Sequence, residues 1–201
     1  MPLRLQCKVA LMGDAAVGKT SLSSMFVSKG TLFPKNYKLT SGVDVLRGVC
    51  AVPSDGPSSK APTTVDFYVH DVGGQDVFRD LAFEATANAW AKDINYVLLV
   101  YDVTVKASFD NIAKHYATLK NAREEKDRPL HAVLVANKSD LSAHANTDLA
   151  TAKEWAGSHN MDFVEVSTLP PGSNINKPFE LIAQKFYTAY QDRMLAVSEM
   201  V

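Results

Sequence analysis

Two cysteines, Cys7 and Cys50, are all that this 201-residue chain carries. Thiols so placed make neither a disulfide framework nor a zinc site, and they read as reduced, partly buried thiols of a cytosolic protein. Surplus charge is missing too: Lys and Arg total 21 against 22 Asp and Glu, a net charge of −1. That balance offers no dominant basic face, so nucleic acid is not expected as a partner. The longest apolar run, INYVLLVYDV from Ile94, is about half of the roughly 20 residues that cross a bilayer. The opening MPLRLQCK lacks the charged-then-apolar layout of a secretory signal. Pro2 excludes N-myristoylation, and the ending VSEMV has no cysteine to prenylate. The expectation is a protein with no lipid anchor of its own.

What is present suits one compact domain. The hydrophobic fraction of 46% can supply a substantial core, and 21% charged residues is ordinary for a globular chain. No internal repeat interrupts the order of elements. Leu3 to Met12 reads as a strand running into glycines, and a helix follows over Ser21–Ser28. Val43–Val52 and Val65–Asp71 are β-rich stretches joined by a polar Pro/Ser/Gly hairpin loop at about 53–64. NYVLLVYDV and HAVLVANKSD are nearly continuous apolar runs, the pattern of central parallel strands covered on both faces. Between them Phe109, Ile112, Tyr116 and Leu119 recur at helical spacing, with Ser108 as the expected N-cap. A further helix is expected over about Thr147–His159, then the strand DFVEVS. A last helix from about 178 carries the stripe Phe179, Ile182, Phe186, Tyr190 and Met194. Alternating strands and helices predict an α/β fold with a mostly parallel sheet, whose ligands sit at the carboxyl ends of the strands.

The chemistry-bearing motifs fall at those ends. GDAAVGKT, from Gly13 to Thr20, matches G-x-x-x-x-G-K-[ST] between a strand and a helix. Backbone N–H groups there have no intrahelical partners and can cradle phosphates. Lys19 is expected to bridge the β- and γ-phosphates, and the Thr20 hydroxyl to ligate Mg²⁺. NKSD, Asn137–Asp140, ends its own apolar strand and names the base. The Asp140 carboxylate can accept from guanine N1–H and the exocyclic amine, a pair that adenine does not offer. Asn137 is expected to brace the pocket, and the Lys138 stem to cover one face of the base. Asp71 closes VDFYVHD, where a carboxylate can hold magnesium through water. Gly73 and Gly74 allow backbone to approach a γ-phosphate, and Gln75 follows where an amide can orient the attacking water.

In order, GDAAVGKT, LTSGVD, DVGGQ, NKSD and EVST resemble the five guanine-nucleotide motifs of the Ras-superfamily small GTPases, Rab-like branch. The resemblance covers nearly the whole chain. It implies a P-loop small GTPase fold, a mostly parallel six-stranded sheet flanked by about five helices, as a single G domain over 1–201. It implies GTP or GDP with Mg²⁺ as cofactors and Thr20, Thr40 and, through water, Asp71 around the metal. Nucleotide contacts are implied for Gly13, Asp14, Ala15, Ala16, Val17, Gly18, Lys19, Thr20, Ser21, Phe33, Tyr37, Thr40, Gly74, Asn137, Lys138, Asp140, Ser167, Thr168 and Leu169. Gln75, Lys19 and Thr40 are the implied catalytic residues. Ala15 and Ala16 stand where Ras has glycines, and a methyl near the transition state is expected to slow hydrolysis. Thr168-Leu169 replaces the usual Ala-Lys, which keeps a backbone contact to guanine and drops the lysine stem, with an expected cost in affinity. Without an arginine finger the expected intrinsic rate is on the order of 10⁻⁴ s⁻¹, as for Ras alone.

FPKNYKLTSGVD, the stretched hairpin, LVYDVTVKASFDN and the terminal helix are similar to the Rab-like small GTPases of intraflagellar transport. That likeness implies a subunit of transport complex B in the cytoplasm and the cilium or flagellum. It also implies a heterodimer with a small β-sandwich subunit (intraflagellar transport protein 25) that docks on coiled-coil subunits. The alternatives are a soluble Rab-type regulator of vesicle traffic, or a structural subunit that uses nucleotide only as a folding ligand.

Overall fold

The computed structural model describes residues 3–36, 38–52, 63–75, 83, 89–123 and 129–199. Tyr37 and most of the expected hairpin loop lie outside the described residues. Six strands form one sheet: β1 (Arg4–Met12), β2 (Val43–Ala51), β3 (Thr64–Val72), β4 (Tyr96–Asp102), β5 (His131–Asn137) and β6 (Asp162–Val166). The order is β2-β3-β1-β4-β5-β6, with β2 antiparallel to β3 and every other pairing parallel. The chain runs from β1 to one side and returns on the other, so a crevice opens at the carboxyl ends of β1 and β4. All seven residues of β4 are buried, as a strand covered on both faces requires.

The described helices are α1 (Lys19–Val27), α2 (Ala89–Lys92), α3 (Lys106–Asp110), α4 (Ile112–Ala122), α5 (Leu149–Ser158) and α6 (Lys177–Ser198), with a 3₁₀ turn at Ser139–His144. One core lies between the sheet and α1 and α6, where Phe26 stacks on Phe179 at 3.6 Å and Phe67 meets both edge-on. Gly48 makes room for this cluster, since a Cβ there would come 2.4 Å from the Phe26 ring. The other core packs α2, α4 and α5 on the opposite face.

Three local expectations are corrected. Ser108 is not an N-cap: α3 begins at Lys106, and the Ser108 hydroxyl donates to Val105 O at 2.6 Å while accepting from Asp102 N at 3.1 Å. The serine thus ties the helix back to the end of β4. The helix expected from Thr147 starts at Leu149, because Asp148 caps it through Ala150 N and Thr151 N. In α6 the stripe leaves the core before its end. Phe179 and Ile182 are buried and Phe186 and Tyr190 half-buried, whereas Met194, Leu195 and Val197 are more than half exposed.

Candidate functional site

Strand β1 delivers the chain to Gly13, and α1 begins at Lys19 directly after Gly18, which sits in the left-handed region with φ 97°. The intervening loop wraps the Lys19 side chain, whose Nζ donates to Gly13 O at 2.9 Å and Asp14 O at 2.7 Å. Burial pushes the Lys19 ammonium down to about 8, against the pull of Asp71 and Asp14. Its neighbour Thr20 donates to Asp71 Oδ2 at 2.5 Å and lies 3.1 Å from the Thr40 hydroxyl. Asp71 is fully buried at the end of β3, and its Oδ1 has no hydrogen-bond partner among the described residues. Burial lifts its carboxyl above the ordinary range, and the Thr20 hydroxyl and Lys19 only partly offset this. Two hydroxyls and a carboxylate with an unsatisfied oxygen are the hard-oxygen donor set that Mg²⁺ takes, so the residues fit the ion. Gly74 lies against the same loop: a Cβ there would come 2.5 Å from Ala15 N and Asp14 O. The following residue, Gln75, is exposed and is not among the residues lining the cleft.

The other half of the site hangs on β5 and β6. Asn137 is fully buried, and its Nδ2 donates to Val17 O at 2.7 Å, which ties the carboxyl end of β5 to the phosphate loop. Lys138 adopts the left-handed conformation at φ 61° and turns the chain into the 3₁₀ segment that carries Asp140. Ser167, just after β6, donates to Asp140 Oδ1, which fixes the carboxylate from behind. A second tie joins Lys138 Nζ to Asp102 at the end of β4, at 2.5 Å.

These elements enclose a cleft of about 510 Å³. Of the residues the motifs single out, Ala15, Ala16, Gly18, Lys19, Thr20, Ser21, Phe33, Thr40, Gly74, Lys138, Asp140, Thr168 and Leu169 line it. Gly13, Asp14, Val17, Asn137 and Ser167 are not in that lining and support it from behind. Three features have no signal in the sequence. Leu141 and the Pro34–Asn36 stretch add to the walls. The Asp14 carboxylate is gripped by Asn111 Nδ2 and His115 Nε2, both at 2.8 Å, which anchors the phosphate loop to α4. Asp102 is the third. No local pattern marks the Asp14 and Asp102 contacts, since each joins residues distant in sequence.

A Ras family model matches residues 8–188 of this chain. The chain is 38% identical to "Intraflagellar transport protein 27" of Chlamydomonas reinhardtii over 97% of its own length and 91% of that protein. It is 34% identical to "Intraflagellar transport protein 27 homolog" of Homo sapiens over 96% of each. Against "Ras-related protein Rab-11A" of Dictyostelium discoideum identity is 31%, over 90% of this chain and 75% of that one.

Proposed function

The chain belongs to the Ras family, in the branch that holds intraflagellar transport protein 27, and on that premise we propose that it is a guanine-nucleotide switch of the intraflagellar transport machinery with slow intrinsic hydrolysis. The observation that carries this reading is the meeting, in one cleft, of an oxygen set for Mg²⁺ and a base-facing Asp140 held by Ser167. In this reading the loop from Gly13 to Thr20 receives the phosphates and Lys19 gives up its carbonyl partners to the β- and γ-phosphate oxygens. Thr20 and Thr40 would hold Mg²⁺, with Asp71 behind them, and the ion would neutralise charge on the phosphates. Asp140 selects guanine, the Lys138 stem covers one face, Phe33 flanks the base, and the Thr168 and Leu169 backbone completes the rim. Gln75 moves inward to orient water.

Relatives named for intraflagellar transport support a ciliary or flagellar place of work and membership of the transport complex. The finer proposal is a heterodimer with the small β-sandwich subunit. Exposed Met194, Leu195 and Val197 on the last turns of α6 are the surface offered for it. Purified protein should bind GTP with a clear preference over ATP; equal affinity would sink the base assignment. Proteins co-purifying from flagellated cells should include transport-complex subunits, whereas vesicle regulators alone would select the Rab-type alternative.

The outward position of Gln75 favours a second reading, in which nucleotide is only a structural ligand. Single-turnover hydrolysis separates the two. Gln75→Leu should slow the reaction by about tenfold or more if the amide positions water. Equal rates would select the structural role.

A further inference from the structure

Asp102 ends β4 at 4% exposure, next in register to Asn137 and one residue short of Lys138 across the sheet. Its Oδ1 accepts from Thr104 N at 2.9 Å and Thr104 Oγ1 at 2.7 Å, so the carboxylate cannot swing. Its Oδ2 takes the Lys138 ammonium at 2.5 Å. The surrounding backbone is woven around this pair. Val103 N donates to Asn137 O at 3.1 Å, and Asn146 N donates to Val103 O at 2.9 Å. Burial pushes the Asp102 carboxyl up, but Lys138 and Thr104 outweigh it and hold the group below its usual range. The carboxylate is therefore charged and partnered over the physiological range.

A lysine stem has about 2 kcal/mol of rotamer entropy to lose when it is laid against a ligand. Here both ends of the stem are already fixed: the backbone by the left-handed turn at φ 61°, and the ammonium by Asp102. Lys138 lines the cleft, with its side chain one-third exposed between those two fixed ends. We propose that Asp102 is a positioning residue for the nucleotide, holding Lys138 stretched across the cleft so that a purine meets a stem ordered in advance. This rests on the guanine-nucleotide reading above. It assigns the two carboxylates of this half different duties: Asp140 decides which base binds, and Asp102 decides how long a purine stays.

The test is a double-mutant cycle on GDP dissociation, with a fluorescent GDP analogue as the probe. Asp102→Asn should therefore speed dissociation several-fold, up to about thirtyfold if the whole rotamer freedom of the stem returns. In a Lys138→Met background, which keeps an apolar stem without the charge, Asp102→Asn should add less than about twofold. The preference for guanine over adenine nucleotides should stay as in the wild type, a result that general loosening of the fold would not give. Wild-type dissociation from Asp102→Asn overturns the proposal. So do effects of the two substitutions that simply multiply, because Asp102 would then act through the fold and not through Lys138. Should Asp102→Asn not fold, Asp102→Glu, which keeps the charge and misplaces it by one methylene, carries the same cycle, and the same two outcomes overturn the proposal. Failure of the wild type to bind GDP at all would instead overturn the guanine-nucleotide reading.

Discussion

The two halves of the cleft are built on opposite plans. On the base side each charged group already has a protein partner, Asp140 on Ser167 and Lys138 on Asp102, and Asn137 Nδ2 donates to Val17 while its neutral Oδ1 is left without a partner among the described residues. The phosphate side is crowded with oxygens that face one another, Thr20, Thr40 and Asp71, and Asp71 Oδ1 is left without a partner among the described residues. Burial acts on both buried carboxylates in the same direction, yet Asp102 ends below its ordinary range and Asp71 above it. The difference lies in what opposes burial: Asp102 has an ammonium and two Thr104 donors in hydrogen-bond contact, whereas the more deeply buried Asp71 has one hydroxyl and a lysine that acts only at longer range. A finished half can select a base with little rearrangement, whereas an unfinished one is stabilised by what it binds.

The largest expected effect probes the finished half. Asp140→Asn replaces two acceptors with an acceptor and a donor, so one of guanine N1–H and the exocyclic amine keeps an acceptor while the other meets a like donor. The preference for GTP over ATP should fall by roughly 10³-fold, measured by competitive titration, because a buried polar mismatch of this kind costs about 4 kcal/mol. A fall of only a few-fold would mean that the base side is not the selective half. Next in size is Asn137→Ala. It removes the donor to a buried carbonyl that links β5 to the phosphate loop and leaves a hole where the side chain stood. Urea unfolding of the ligand-free protein should show a loss of about 1–3 kcal/mol. No loss would show that the base half does not brace the other.

How much of this was legible in the sequence follows the same division between local and distant partners. The strands were readable because β4 and β5 are buried over nearly all their length and so carry almost continuous apolar runs, broken only at their ends by His131, Asp102 and Asn137. Phosphate-loop residues were readable because their spacing is local. Asp14 with Asn111 and His115 was not, since the partners lie 97 and 101 residues apart and nothing near Asp14 announces them. Asp102 was hidden for the same reason, within an apolar run whose last residue passes for a strand end. The departures at Ser108 and Asp148 are matters of capping, where a hydroxyl or carboxylate can serve either the helix or the preceding strand. Met194 departed for another reason. A 22-residue helix is about 33 Å long while the seven residues of β4 span about 23 Å, so α6 outruns the sheet and its periodic stripe outlasts the core.

A smaller effect with an unusual sign tests the unfinished half. The folded-state pKa of Asp71 lies above the unfolded value, so the folded chain holds that proton more tightly. Ionised Asp71 therefore costs stability at pH 7, and the cost fades as pH falls through the folded pKa toward about 4. Asp71→Asn should stabilise the metal-free, nucleotide-free protein at pH 7, measured by urea unfolding, with the gain shrinking toward about pH 4. The same substitution should weaken the extra stability that Mg²⁺ and GDP confer on the wild type. Destabilisation of the ligand-free protein at pH 7 would make the two halves alike and remove the contrast.

The smallest effect concerns backbone strain, which each half bears at one residue with a side chain. Lys138 sits at φ 61° on the base side and Ala16 at φ 61° in the phosphate loop. For Lys138 the Asp102 ion pair offsets the cost, so Lys138→Gly would confound strain with the lost pair. Ala16 has only a methyl, and Ala16→Gly isolates the strain. An alanine in the left-handed region costs about 1–2 kcal/mol, and glycine returns about 0.5–1 kcal/mol of that through the larger entropy of its unfolded chain. The net gain should stay under about 1 kcal/mol, seen as a rise of a few degrees or less in thermal midpoint. A loss of stability would show that the Ala16 methyl packs usefully in the cleft wall, and that the phosphate half has more of its own support than the unsatisfied Asp71 Oδ1 indicates.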